Sequence, residues 1–189
     1  MSVLFDRRSI RKYKSDMVPR EVLEQIVAAG KMAPSAMNQQ RYHITVVTSA
    51  EKIQVLGGLV KQEMLSNPNL PPHVRERLEG PDFSATNGAP VVILVSKAEG
   101  PLGPMDSAQD AALVCENLML EARVLEVGSC WMGAFSHMWN IPGAPETLRS
   151  DFGIPEGYEL YAGIVFGYPD GGFPDTPRAR REDNVNWVE

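Results

Sequence analysis

Apolar positions recur at helical spacing along much of the chain and condense into short β-branched runs between those stretches. Val22, Leu23, Ile26 and Val27 follow Pro19, which predicts a helix opening at or near Pro19 and ending around Gly30 to Met32. The segment RYHITVVTS predicts a strand at 42–48. Ile53, Leu56, Leu59 and Val60 predict a helix over 51–65, weakened by Gly57-Gly58. VVILVS, 91–96, is a continuous apolar run and predicts a buried strand. The longest periodic stretch, 106–127, opens on Asp106 or Ser107 as cap and meets a glycine stop at Gly128. Its apolar residues (Ala111, Ala112, Val114, Leu118, Met119, Ala122, Val124, Leu125) cover most of its circumference, so this helix is central, buried in a core or against a partner subunit. A short helix follows Pro145 to about Asp151. Tyr158 to Phe166 predicts another core strand, closed by a turn at Gly167-Tyr168-Pro169-Asp170.

Between these elements, residues 66–90 carry Asn67-Pro68, Pro71-Pro72, Gly80-Pro81 and Ala89-Pro90, with room for one brief helix at 73–79. Loops of this length are often lids or binding segments. The order helix, strand, helix, strand, long helix, helix, strand predicts an α+β or α/β domain with a small sheet flanked by helices. One domain over 1–189 is expected, with 66–90 as a lid or substrate-site insert and 171–189 as a C-terminal extension.

Charge changes this picture more than composition does. The net charge is −6, yet Arg7, Arg8, Arg11, Lys12 and Lys14 form one basic cluster and Arg178, Arg180 and Arg181 another, neither containing an acid. The remaining ten cations face all 24 acids. A nucleic-acid surface would make the domain basic as a whole; two compact basic knots in an acidic body suit a small anion. Only two cysteines, Cys115 and Cys130, are present, no apolar leader precedes Arg7, and 106–127 is interrupted by Asp110, Glu116, Glu121, Arg123 and Glu126. These features predict a cytoplasmic protein with neither a disulfide framework nor a membrane span.

Several chemistries find no support in the residues. His43, His73 and His137 lack metal-ligand spacing, and no nucleophile elbow, Walker loop or dinucleotide fingerprint occurs. Cys130, in GSCWMG, reads as a packed thiol. In RRSIR, by contrast, Arg7, Ser9 and Arg11 alternate; in extended chain they project to one side and offer two guanidiniums and a hydroxyl to a phosphate. The loop PSAMNQQ places Pro34 where it can pack on a flat ring, with Ser35, Asn38 and Gln40 offering hydroxyl and amide groups to a heteroaromatic edge. A solvated basic arm and an ordinary helix-to-strand turn are the plainer readings of these two segments.

Four segments in series resemble the nitroreductase family of FMN-dependent oxidoreductases: Arg7-Arg8-Ser9-Ile10-Arg11-Lys12-Tyr13; Pro34-Ser35-Ala36-Met37-Asn38-Gln39-Gln40; the helix 108–127 leading to GSCW at 128–131; and GIVFGYP, 163–169, with Arg178-Ala179-Arg180. The family follows the last glutamine of its loop with Pro-Trp, where this chain has Arg41-Tyr42. The resemblance implies a three-layer α+β fold, its small, mostly antiparallel sheet flanked by helices and its long central helix at a homodimer interface. It implies a cofactor-binding set of Arg7, Arg8, Ser9, Arg11, Pro34, Ser35, Asn38, Gln40, Met132, Gly133, Ala134, Arg178 and Arg180. Arg7, Ser9, Arg178 and Arg180 would meet the FMN phosphate, and Arg11 the ring at N1 and the C2 carbonyl. Asn38 and Gln40 would bond the ring edge or ribityl chain, with Pro34 and Ser35 packing beside the flavin from the other subunit, and Met132, Gly133 and Ala134 would lie near N5. Arg8, Lys12 and Lys14 need no ligand of their own. The implied activity is hydride transfer from NADH or NADPH through FMN N5 to a small nitroaromatic, quinone or enone acceptor by a ping-pong cycle, without a protein nucleophile or metal. The alternatives are a specialised flavin-dependent metabolite reductase or dehalogenase, a flavin-binding module without turnover, and an anion-binding protein with no flavin.

Overall fold

The computed structural model describes residues 2–81, 83–98, 107–175 and 179–189. Its elements are α1 (Val3–Asp6), α2 (Arg20–Gly30), β1 (Tyr42–Val47), α3 (Ala50–Ser66), α4 (Pro72–Glu79), β2 (Val91–Ala98), α5 (Ser107–Val124), β3 (Gly128–Met132), α6 (Ala144–Phe152) and β4 (Tyr158–Gly167), with short 3₁₀ turns at Ala36–Asn38 and Gly133–Asn140. The four strands form one sheet in the order β1-β2-β4-β3, every pair antiparallel. The expected small antiparallel sheet flanked by helices is what the chain builds.

Strand alternation makes two cores. Val91, Ile93, Val95, Ala162, Ile164 and Phe166 face α2 and α5, meeting Leu23, Ile26, Val114, Leu118 and Ala122. Val92, Leu94, Val165 and Cys130 face the other way, against Leu56 and Val60 of α3, Phe135 and Met138, and Leu148 and Phe152 of α6. β2 is therefore apolar on both faces, which is why it reads as an unbroken run rather than an alternating one. α5 buries one face, through Ser107, Asp110, Ala111, Val114, Cys115, Leu118, Met119 and Ala122. Leu113 (44% exposed) and Val124 (57%) lie outside that face. The short α1 packs on α5 and leaves Leu4 and Phe5 exposed.

Three local expectations are revised. The long helix ends at Val124, and Asp106, one of its two proposed caps, lies outside the described residues. Gly128 is not its stop: the reversal is made at Glu126, whose φ is 58°, and Gly128 opens β3. Glycine is required there by crowding, since a Cβ would lie 2.9 Å from the Ile10 side chain and 3.1 Å from the Gly167 carbonyl oxygen. The 66–90 segment is more structured than its prolines suggest. It holds α4, opened by Pro71 and Pro72 at positions where a missing amide costs nothing, and buries Leu78, Ala85 and Ala89. Both cysteines are buried thiols, and burial pushes Cys115 up to about 12. No helix among the described residues is long and apolar enough to cross a membrane.

Candidate flavin site

The basic run lies along the outer edge of β3. Ser9 bridges Ser129 in parallel, and Ile10 donates its amide to the Ser129 carbonyl at 2.9 Å. Ile10 is buried while Ser9 and Arg11 are exposed, so the alternation expected of RRSIR is present. The convergence is visible at the Cys130 thiol, which burial pushes up while the Arg11 charge, a hydrogen bond from Ser9 and the Arg7 charge pull it back. Arg7 also stands 3.8 Å from Glu116 of α5. That contact is longer than a hydrogen bond and leaves the guanidinium fork available.

The other cations divide as their surroundings dictate. Arg8 turns back on the chain: Nη1 donates to the Phe5 and Arg7 carbonyls at 2.6 and 2.8 Å. Its role is to shape the entry of the run rather than to reach outward. Lys12 pairs with Asp170 at 2.7 Å. Around it the residues after β4 come back along the N-terminal run: Tyr13 bridges Pro169, Lys14 donates to the Tyr168 carbonyl at 2.9 Å and Asp170 to that of Lys12 at 3.0 Å. The segment just after β4, residues 168–170, therefore lies beside the basic run. Arg180 follows in the exposed tail, and Arg178 lies outside the described residues.

Met132 ends β3 only a few residues from this point, and Gly133 and Ala134 begin the 3₁₀ turn beyond it. A Cβ at Gly133 would have no atom within 4 Å, so this backbone is open to an approaching group. Asn87, with φ of 54°, directs its amide nitrogen to the Met132 sulfur at 3.6 Å. It brings the 66–90 segment against the turn. This contact of Asn87 with the turn was not legible in the sequence; the Asn-Gly pair at 87–88 signals only a turn.

The loop 34–40 is built with unusual backbone. Met37, Asn38 and Gln40 have φ of 53°, 54° and 50°, a region costing roughly 1 kcal/mol or more for side chains other than glycine. The shape is held from within: the Ser35 hydroxyl accepts from the Gln40 amide at 3.0 Å, and the Gln40 side chain donates to Asn38 at 3.3 Å. From outside, Asp110, a buried carboxylate in the first turn of α5, accepts from the Ala36 amide at 3.1 Å. Clustered strain of this kind marks a segment shaped for something other than stability. Pro34, Asn38 and Gln40 are exposed and Ser35 partly so.

Within one chain the two halves do not meet. Met132 pairs with Gly163, Gly163 with Leu94 and Leu94 with Thr45. Tyr42, which follows the loop, is therefore three strand spacings away, roughly 14 Å, and about 10 Å further along the strands. The register thus sets the point where the loop joins β1 well away from Met132 of the same chain.

A model of the nitroreductase family matches residues 4–168. A protein of Archaeoglobus fulgidus, provisionally named NADH dehydrogenase/NAD(P)H nitroreductase, is 27% identical over 170 residues, covering 89% of this chain and 84% of that protein. An FMN reductase [NAD(P)H] of Bacillus subtilis is 25% identical over 190 residues, covering 95% of this chain and 69% of its own length. Among solved structures, a nitroreductase of Bacteroides fragilis with bound FMN superposes with a TM-score of 0.86 at 27% identity, covering 99% of this chain and 97% of that one.

Proposed function

Because the chain belongs to the nitroreductase family, we propose that it is an FMN-dependent NAD(P)H oxidoreductase working as a homodimer with two shared flavin sites. The observation that carries the reading is the split site. A phosphate-sized set of Arg7, Ser9 and Arg11 lies beside the open turn at Met132 to Ala134, while the strained loop that would complete a ring pocket lies across the sheet. A two-fold axis brings the loop of one subunit to the turn of the other, and the exposed Leu4, Phe5, Leu113 and Val124 offer apolar surface for such an interface.

The residues fit FMN in charge and shape. Arg7 and Ser9 would neutralise the phosphate through charge-assisted bonds, with Arg180 of the exposed tail as a further cation; Arg178, expected to join them, lies outside the described residues. Arg11, exposed and one alternate position further along, places a fixed cation at N1 and the C2 carbonyl. Backbone at Gly133 and Ala134 lines the N5 edge, and Asn38 and Gln40 of the second subunit bond the ring edge while Pro34 and Ser35 pack beside it. When bound, FMN would supply the redox chemistry, hydride exchange between NAD(P)H and a small acceptor of nitroaromatic, quinone or enone type in a ping-pong cycle. The chain's own residues bind, orient and tune; none has to attack.

Complementation tests the shared site. An Arg7→Ala/Arg11→Ala chain and an Asn38→Ala/Gln40→Ala chain each lose FMN alone. Co-expressed, they form mixed dimers in which one site is intact, so about a quarter of all sites regain FMN under random pairing. FMN content that stays at the level of the parent variants would place the whole site in one chain.

A further inference from the structure

We propose that Arg41 reads an oxyanion substituent (carboxylate, sulfonate or phosphate) on the diffusible molecule that exchanges electrons with the flavin. The inference deepens the function proposed above and rests on it. Arg41 is partly buried, and its Nη1 is sealed from solvent with no hydrogen-bond acceptor among the described residues. Arg8, Arg123 and Arg149 also carry a buried Nε without a hydrogen bond, but each of these guanidiniums is held elsewhere: Arg8 by two carbonyls, Arg123 by Glu126, and Arg149 by the Tyr158 carbonyl and the Trp139 ring. Arg7 and Arg75 lie 3.8 and 4.0 Å from Glu116 and Glu79. Glu159, on the strand beyond β2, is taken by Lys97 at 2.6 Å. Withdrawing a guanidinium nitrogen from water without an acceptor costs free energy, and no hydrogen bond among the described residues offsets it.

The backbone does not ask for arginine at this position. Residue 41 is the centre of a tight turn in which Tyr42 donates to the Gln40 carbonyl at 2.9 Å, and the Arg41 carbonyl accepts from Ala98 at 3.2 Å. Its φ is not positive, and a proline's fixed φ suits the centre of such a turn. The use of Arg41 therefore lies in its side chain. It follows directly on the strained loop 34–40, so the shared-site architecture carries a planar fork with no ion pair among the described residues to the flavin of the second subunit. A fork of that kind recognises oxyanions through paired, charge-assisted bonds. The oxyanion could belong to the nicotinamide donor or to the acceptor, and the two half-reactions separate these sources.

The FMN-loaded dimer and its Arg41→Gln and Arg41→Lys variants are compared in two arms. In the first, anaerobic flavin reduction is followed with NADPH and with NADH, which differ by one phosphate. In the second, turnover at saturating donor is measured with 4-nitrobenzoate and with its neutral methyl ester. In one arm, the advantage of the anion-bearing member falls about tenfold or more in Arg41→Gln, through apparent affinity rather than maximal rate. It is partly restored by Arg41→Lys and shrinks with added salt, and the arm in which it falls names the source of the oxyanion. Ratios unchanged in both arms, in a variant that keeps its FMN, overturn the proposal. A variant that loses FMN or dissociates also overturns it, by assigning Arg41 to the cofactor or the interface. If the unmodified protein fails to hold FMN as well, the shared flavin site itself falls, and Arg41's role with it.

Discussion

Arg11→Ala lowers the two-electron midpoint potential of the bound flavin by about 30–60 mV, and weakens FMN binding when the flavin is reduced more than when it is oxidised. Two-electron reduction puts negative charge on N1 and the C2 oxygen. A cation fixed beside those atoms stabilises that charge without having to reorganise. A hydrogen bond to a charged group contributes about 1.5–3 kcal/mol, and in a two-electron couple about 30 mV corresponds to 1.4 kcal/mol. Arg11 is suited to the task because Ile10 anchors the run in the core while Arg11 stays exposed. A spectroelectrochemical titration against reference dyes reads the shift, and Arg11→Lys recovers part of it. An unchanged potential together with unchanged affinity would remove Arg11 from the ring.

Gly163→Ala destabilises the protein by about 2–3 kcal/mol, an overpacking cost, and lowers Tm by roughly 5–10 °C. Gly163 sits in β4 between Leu94 and Met132. A Cβ there would lie 2.8 Å from the Cβ of Phe135 and closer still to its ring. Phe135 is fully buried and cannot swing aside without moving the 3₁₀ turn that begins at Gly133. The substitution therefore also perturbs the backbone proposed to line N5, and FMN content drops along with stability. Gly58→Ala is the control: it lies in α3 with nothing within 4 Å of the new methyl and stabilises by up to about 1 kcal/mol. Thermal melts of the two variants showing equal Tm would contradict the packing described for Phe135.

What was legible in the chain follows from how local each signal is. Apolar spacing after Pro19 predicts α2 to within a residue, because the proline and the periodicity both act over a few positions. The alternation of Arg7, Ser9 and Arg11 is equally local, and the structure keeps it. β3 was not legible: five residues, GSCWM, follow the long helix almost at once, and Gly128 carries the same letter whether it ends a helix or admits Ile10. Apolar residues cover most of the circumference of α5, yet only packing decides which of them are core, and Leu113 and Val124 are left out. The contacts that Asp110 and Asn87 make were not legible for another reason. They run to Ala36 and Met132 and span 74 and 45 positions of sequence, and nothing near either residue announces them. Arg8 belongs to the basic cluster by charge, but its guanidinium goes to carbonyls of its own segment, a distinction that charge counting cannot make.

The central claim is that this chain holds FMN and passes hydride through it. Its most direct test is anaerobic titration of the purified protein with NADH and with NADPH while the flavin absorbance is followed. The account predicts a yellow protein with about one FMN per chain, bleached by one equivalent of at least one donor and re-coloured on adding a quinone. A colourless protein that takes up no added FMN, or a yellow one that neither donor bleaches, would contradict it.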